Sequence, residues 1–125
     1  MPTILIVDDE PHIRLLLEEA LEDMGDEGVA LRFAENGVEA LEIIKTEHPA
    51  LVFLDVMMPK MNGYDVCKTV KSDPDLRDIH VVMLTAKGQE YDRKKGLEVG
   101  ADVYMTKPFN PVAVIKMARE VLGLD

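Results

Sequence analysis

The sequence predicts an α/β domain: a parallel five-stranded sheet with helices packed on both faces. Three observations carry this expectation. Five short apolar runs rich in β-branched residues recur along 125 residues, and stretches of helical periodicity separate them. The central run, Leu51-Val52-Phe53-Leu54, is apolar without alternation, as a strand buried on both faces requires. Every strongly polar residue of chemical interest falls just where one of these runs ends, which is where parallel sheets place their sites.

Thr3-Ile4-Leu5-Ile6-Val7 is the first strand and runs into Asp8-Asp9-Glu10. Pro11 suits the first turn of a helix, and Ile13, Leu16, Leu17, Ala20, Leu21 and Met24 form its apolar stripe up to Gly25. Residues 29–34 read as the second strand, and Asn36-Gly37 turns the chain into a helix carrying Val38, Leu41 and Ile44 inward. Pro49 breaks that helix ahead of the central strand, which ends on Asp55. Asn62-Gly63 opens a helix through Val66, Cys67 and Val70, and Ser72-Asp73-Pro74 stops it. Residues 79–84 form the fourth strand, followed by Thr85-Ala86. A very polar helix interrupted by Gly96 is expected over residues 89–99. Residues 101–105 make the fifth strand, with Thr106-Lys107 after it. Asn110 caps and Pro111 starts a last helix, with Val114, Ile115, Ala118 and Leu122 on its inner side.

The length fits one domain over residues 1–125, able to bury roughly two-thirds of its unfolded surface. A net charge of −10 argues against direct contact with nucleic acid or an anionic membrane. The single Cys67 has no internal disulfide partner, and no apolar run approaches the length of a membrane span. A strand beginning at Thr3 leaves no room for a signal peptide, so a cytoplasmic location is expected. His12, His48 and His80 lie apart without metal spacing and read as surface or packing residues. Cys67 reads as a small core residue, and Lys94-Lys95 as a solvated helix face.

Asp8, Asp9 and Asp55 would share one rim. Two carboxylates about 4 Å apart repel by roughly 4 kcal/mol at an effective dielectric of 20, so positive charge must compensate. Lys107 offers one fixed cation, and oxygen-only donors favour Mg²⁺ or Mn²⁺ for the rest. A metal, a lysine and the Thr85 hydroxyl beside a carboxylate can hold three phosphoryl oxygens, with Asp55 as nucleophile. On the strand alone, Asp55 can equally be read as a residue capping the next turn.

Ile6-Val7-Asp8-Asp9-Glu10, Leu54-Asp55-Val56-Met57-Met58-Pro59 with Asn62-Gly63, Leu84-Thr85-Ala86 and Tyr104-Met105-Thr106-Lys107-Pro108-Phe109 together resemble the receiver domains of two-component response regulators. The resemblance spans nearly the whole chain. It implies a flavodoxin-like doubly wound (βα)5 fold with strand order 2-1-3-4-5, and a signalling protein rather than a turnover enzyme. It implies that Asp55 accepts a phosphoryl group from the phosphohistidine of a sensor histidine kinase or a phosphotransfer protein. Mg²⁺ would be held by Asp9, Asp55 and the backbone carbonyl of Met57, with Asp8 acting through water. Thr85 and Lys107 would contact the phosphoryl oxygens, and Thr85 and Tyr104 would form the switch. A downstream effector protein or domain would read the face made by residues 89–99, the fifth strand and the last helix. The protein would be a monomer or a weak, phosphorylation-dependent dimer. The resemblance also implies a cis Lys107–Pro108 bond, while Met57 and Lys87 occupy positions thought to tune phosphate lifetime.

Other readings of the architecture fit less well. A flavin carrier wants a Ser/Thr/Gly-rich loop after the first strand, where this chain has Asp8-Asp9-Glu10. A haloacid-dehalogenase-type phosphatase wants a second Asp two residues after the nucleophile, and that position is Met57. The remaining alternative is a receiver-like module that binds proteins independently of phosphorylation; its usual mark, a missing acid or lysine, is absent.

Overall fold

The strands line up as β2-β1-β3-β4-β5, all parallel, in a computed structural model that describes residues 2–56, 58, 61–86, 100–107 and 109–124. The strands are β1 (Thr3–Val7), β2 (Ala30–Ala34), β3 (Leu51–Asp55), β4 (His80–Ala86) and β5 (Val103–Lys107). Four α-helices appear among the described residues: α1 (Pro11–Leu21), α2 (Gly37–Glu47), α3 (Gly63–Ser72) and α4 (Pro111–Leu122). The helix expected over residues 89–99, Lys87, Met57 and Pro108 of the Lys107–Pro108 bond lie outside the described residues.

The period-2 geometry of a strand splits the core in two. Leu5, Val7, Val52, Leu54, Val81 and Met83 face α2 and α3, packing with Ile44, Val66, Cys67 and Val70. Ile4, Ile6, Leu51, Phe53, Val82 and Leu84 face α1 and α4, packing with Ile13, Leu17, Val114 and Ala118. All five residues of β3 are buried, which is why that strand lacks alternation. Truncating Phe53 to alanine there would cost about 3–5 kcal/mol.

Several local expectations are corrected. α1 ends at Leu21, and a 3₁₀ helix, Glu22–Glu27, carries the chain on to Gly28. Gly28 has the left-handed backbone (φ 83°) that closes the turn, whereas Gly25 only offers its carbonyl to the Gly28 N–H. Leu16 is 47% exposed and Val38 57% exposed, so neither faces inward. The buried sides of α1 and α2 run instead through Ile13, Leu17 and Leu21, and through Gly37, Ala40 and Ile44. β5 starts two residues later than predicted. The Asp102 N–H donates to the Val81 carbonyl and its carboxylate accepts from the Val81 N–H, so residues 101–102 serve as the approach to the ladder. Lys107 thereby becomes the last rung of β5, opposite Ala86, rather than a residue beyond the strand.

Candidate functional site

At the end of β1, the Asp8 N–H donates to the Ala34 carbonyl (3.2 Å), which keeps Asp8 in line with the strand and wholly buried. Its Oδ1 accepts the Glu10 N–H at 2.9 Å, the Asx geometry that turns the chain toward Pro11 and α1. One carboxylate oxygen each from Asp8, Asp9 and Glu10 gathers within 4.8 Å of the others. Glu10 is a member of this group that sequence reasoning passed over; its only signal was its place beside Asp9.

Asp55 closes β3 and is 5% exposed. Behind it, the Val56 N–H donates to Leu84 and the Gly63 N–H to Val56, folding the start of α3 back onto the strand end. Asn62 caps α3 through the Asp65 N–H (3.0 Å). Gly63 lies so close that a Cβ there would overlap the backbone carbonyl of Asp55.

Lys107 joins the two elements. Its Nζ lies 2.7 Å from Asp8 Oδ2, donates to Asp55 Oδ1 at 3.2 Å, and lies 3.6 Å from Glu10 Oε1. The Asp8 contact is the closest of the three, a buried ion pair. One ammonium therefore serves three carboxylates, with Asp9 nearby as a fourth.

The imbalance shows in the protonation of the site. Burial pushes the Asp55 carboxyl up to about 7; the charge of Asp8 adds to that, and Lys107 opposes it. Burial alone would lower Lys107, yet its contacts with Asp8 and Asp55 outweigh this and hold its ammonium above the ordinary lysine range.

Thr85, 5% exposed, lies on β4 one rung beyond Leu84, the register partner of Asp55. It pairs with Thr106, the neighbour of Lys107. Tyr104 pairs with Met83, two positions back, and packs half-buried against the core shared with α3. Strand alternation puts Thr85 and Tyr104 on the same sheet face. Asp8, Asp9, Asp55, Thr85 and Lys107 thus meet at the carboxyl ends of the strands. The Met57 carbonyl, expected as a further ligand, lies outside the described residues.

The amino ends of the strands are different. A cavity of about 620 Å³ opens there, lined in part by His48, Asp78, His80 and Glu120. It lies at the opposite end of the strands from Asp8 and Asp55. His48 caps α2 in the left-handed conformation (φ 48°), and its Nε2 lies 2.9 Å from the Asp75 carbonyl, in keeping with a structural reading of this histidine.

Comparison with known proteins gives this arrangement a context. Residues 4–119 match the family described as response regulator receiver domain. The probable transcriptional regulator ycf27 of Porphyra purpurea is 48% identical over 119 residues, covering 95% of this chain and 46% of that protein. The phosphate regulon transcriptional regulatory protein PhoB of Pseudomonas aeruginosa is 44% identical over 120 residues, covering 96% of this chain and 51% of that protein. The chain therefore spans about half the length of the curated relatives it matches. Among solved structures, the chemotaxis response regulator CheY4 of Vibrio cholerae superposes with a TM-score of 0.84 at 30% identity, covering 97% of this chain and 98% of that one. The receiver domain of a signal transduction histidine kinase from Syntrophus aciditrophicus gives 0.87 at 36% identity, covering 98% and 91%. Fold, rim and relatives agree that the chain belongs to the response regulator receiver domain family of two-component systems, a family of signalling domains rather than turnover enzymes.

Proposed function

We propose that residues 1–125 act as a phosphoacceptor receiver domain, taking a phosphoryl group from a kinase phosphohistidine onto Asp55 and passing the change to an effector. The observation that carries this reading is the sharing of one Lys107 ammonium by the buried Asp8 and Asp55 carboxylates at adjacent strand ends. A carboxylate oxygen of Asp55 attacks phosphorus as the P–N bond breaks. The bond's electron pair leaves on the imidazole nitrogen, which then takes a proton from solvent. On this reading Lys107 and the Thr85 hydroxyl would meet the transferred oxygens.

The donor set fits a hard divalent cation: it is all oxygen and carries negative charge in excess of the one Lys107 ammonium. Asp8, Asp9 and Asp55 would hold Mg²⁺, with the Met57 carbonyl as a further oxygen. Bound there, Mg²⁺ supplies charge that offsets the phosphoryl oxygens and favours the ionised form of Asp55. The partners on this reading are a sensor histidine kinase or phosphotransfer protein and a downstream effector, with the protein working in the cytoplasm as a monomer or a weak phosphorylation-dependent dimer. Two of the relatives carry names of transcriptional regulators, so an effector that controls transcription is the reading they favour.

Acetyl phosphate with Mg²⁺ should add one phosphoryl group by intact-mass spectrometry, and Asp55→Asn or EDTA should abolish the addition. Equal labelling of Asp55→Asn overturns the assignment. The onward signal would use Thr85 and Tyr104, which share a sheet face, through a population shift between two states. Beryllofluoride should then spread NMR shift changes from the rim to Tyr104 and residues 89–99, and Thr85→Ala should confine them to the rim. Changes confined to the rim in the wild type would refute this route.

A further inference from the structure

Arg14 sits one turn into α1, next to the buried Ile13. Its guanidinium reaches back to the acid turn. Nη1 donates to the backbone carbonyl of Asp8 at 2.6 Å, and Nη2 lies 3.4 Å from Glu35 Oε1. The Arg14 side chain is only 17% exposed, whereas Glu35 is 66% exposed, so the Asp8 contact is the sheltered one. α1 has no side-chain cap at Glu10, and the Ile13 and Arg14 N–H groups both donate to the Glu10 carbonyl. The Asp8-Asp9-Glu10 turn is consequently gripped at both ends by the first turn of α1: at the Glu10 carbonyl by backbone, and at the Asp8 carbonyl by Arg14.

We infer that Arg14 is a positioning residue for the cation-binding acids: by holding the Asp8 carbonyl it fixes the turn on which the Asp8, Asp9 and Glu10 carboxylates converge. The inference rests on the reading of this rim as a Mg²⁺ site. Two effects of Arg14 on that site have opposite signs. As a nearby positive charge it repels a cation; as a hydrogen-bond donor it preorganises the ligands. Removing a partner that orients a ligand residue typically weakens metal binding 10-fold or more, about the scale expected here. Charge repulsion between partly exposed groups is weaker and screened by salt, so the positioning effect dominates.

The test is a Mg²⁺ titration without phosphodonor, followed through the amide NMR shifts of Asp9 and Glu10. Arg14→Met and Arg14→Lys should each raise the half-saturating Mg²⁺ concentration by about tenfold, while Glu35→Gln changes it by less than about twofold. In the metal-free variants the Glu10 amide should exchange faster with solvent, while those of Leu5 and Ile6 keep their protection. A lowered melting temperature with unchanged half-saturation and unchanged Glu10 exchange would make Arg14 merely structural and overturn the inference. Tighter Mg²⁺ binding by Arg14→Met would make it a counter-charge and overturn it equally. Acetyl phosphate labelling separates this inference from the reading beneath it. An unlabelled wild type whose Mg²⁺ affinity depends on Arg14 defeats the phosphoacceptor proposal alone; a labelled wild type with Mg²⁺ binding indifferent to Arg14 defeats only the inference.

Discussion

Two lysine–aspartate pairs hold the two ends of this sheet, and their aspartates shift in opposite directions. At the amino end, Lys71 Nζ lies 2.8 Å from Asp102 Oδ2 and donates to the carbonyls of Ile79 (2.6 Å) and Arg77 (3.1 Å). Burial favours protonating Asp102, but the hydrogen bonds from Lys71 and the Val81 N–H outweigh it and hold the carboxyl below its ordinary range. One cation meets one anion. At the carboxyl end, Lys107 is shared among Asp8, Asp55 and Glu10, and Asp55 rises to about 7. The residue types are the same in both pairs; the ratio of charges separates a structural tie from a site short of positive charge.

The largest expected effect sharpens this contrast through pH. The folded-state pKa of Asp55, about 7, lies above that of an unfolded aspartate, so the folded protein binds more protons between about pH 4 and pH 7. The contribution of Asp55 to stability is therefore present in acid and is lost as pH rises through that window. The move corresponds to on the order of 4 kcal/mol at most. In EDTA, Asp55→Asn should be more stable than wild type at pH 8 and nearly equal to it at pH 4, by urea denaturation. A wild type whose stability advantage over Asp55→Asn grows with pH would refute the account.

Next in size is the response to Mg²⁺. A cation that binds only the folded state at one hundred times its Kd adds about 2.7 kcal/mol. Melting temperature should rise accordingly with Mg²⁺. Asp9→Asn, with one repelling carboxylate fewer, should melt higher than wild type in EDTA and respond less to Mg²⁺. If Asp9→Asn melts no higher in EDTA and keeps the full Mg²⁺ shift, surplus charge is not what defines the rim.

The smallest effect is at the amino end. Lys71→Met strands the Asp102 carboxylate and the Ile79 carbonyl, and should cost about 1–2 kcal/mol because Asp102 remains partly solvated. Asp55 labelling by acetyl phosphate should proceed at the wild-type rate. Loss of labelling in a folded Lys71→Met protein would show that the two ends are coupled and break the comparison.

Much of this was legible in the sequence because burial on both faces leaves an unmistakable mark. The continuous run Leu51–Leu54 read as a central strand, and Asp8, Asp55 and Lys107 stood out against apolar surroundings. Helix faces were less legible. Leu15, Leu16 and Leu17 are adjacent and identical, so composition could not say that only Leu17 points inward. The start of β5 depended on Asp102 engaging Val81, a contact between residues 21 apart in the chain. Arg14 was hidden for a related reason. Six residues separate it from Asp8, and the Asp8 atom it serves is a backbone carbonyl, which no sequence pattern displays.

The close approach of Gly63 to the Asp55 carbonyl bears on how tolerance maps of this domain should be interpreted. The obstructing atom is backbone, so no rotamer change relieves it, and even alanine requires β3 and the start of α3 to separate. A saturation library selected for signalling should therefore reject every replacement at position 63 as firmly as replacements of Asp55. Yet Gly63 offers no charge or hydroxyl to a substrate. In such a map, intolerance records the room available to an atom as faithfully as it records chemistry, and only a biochemical readout separates the two.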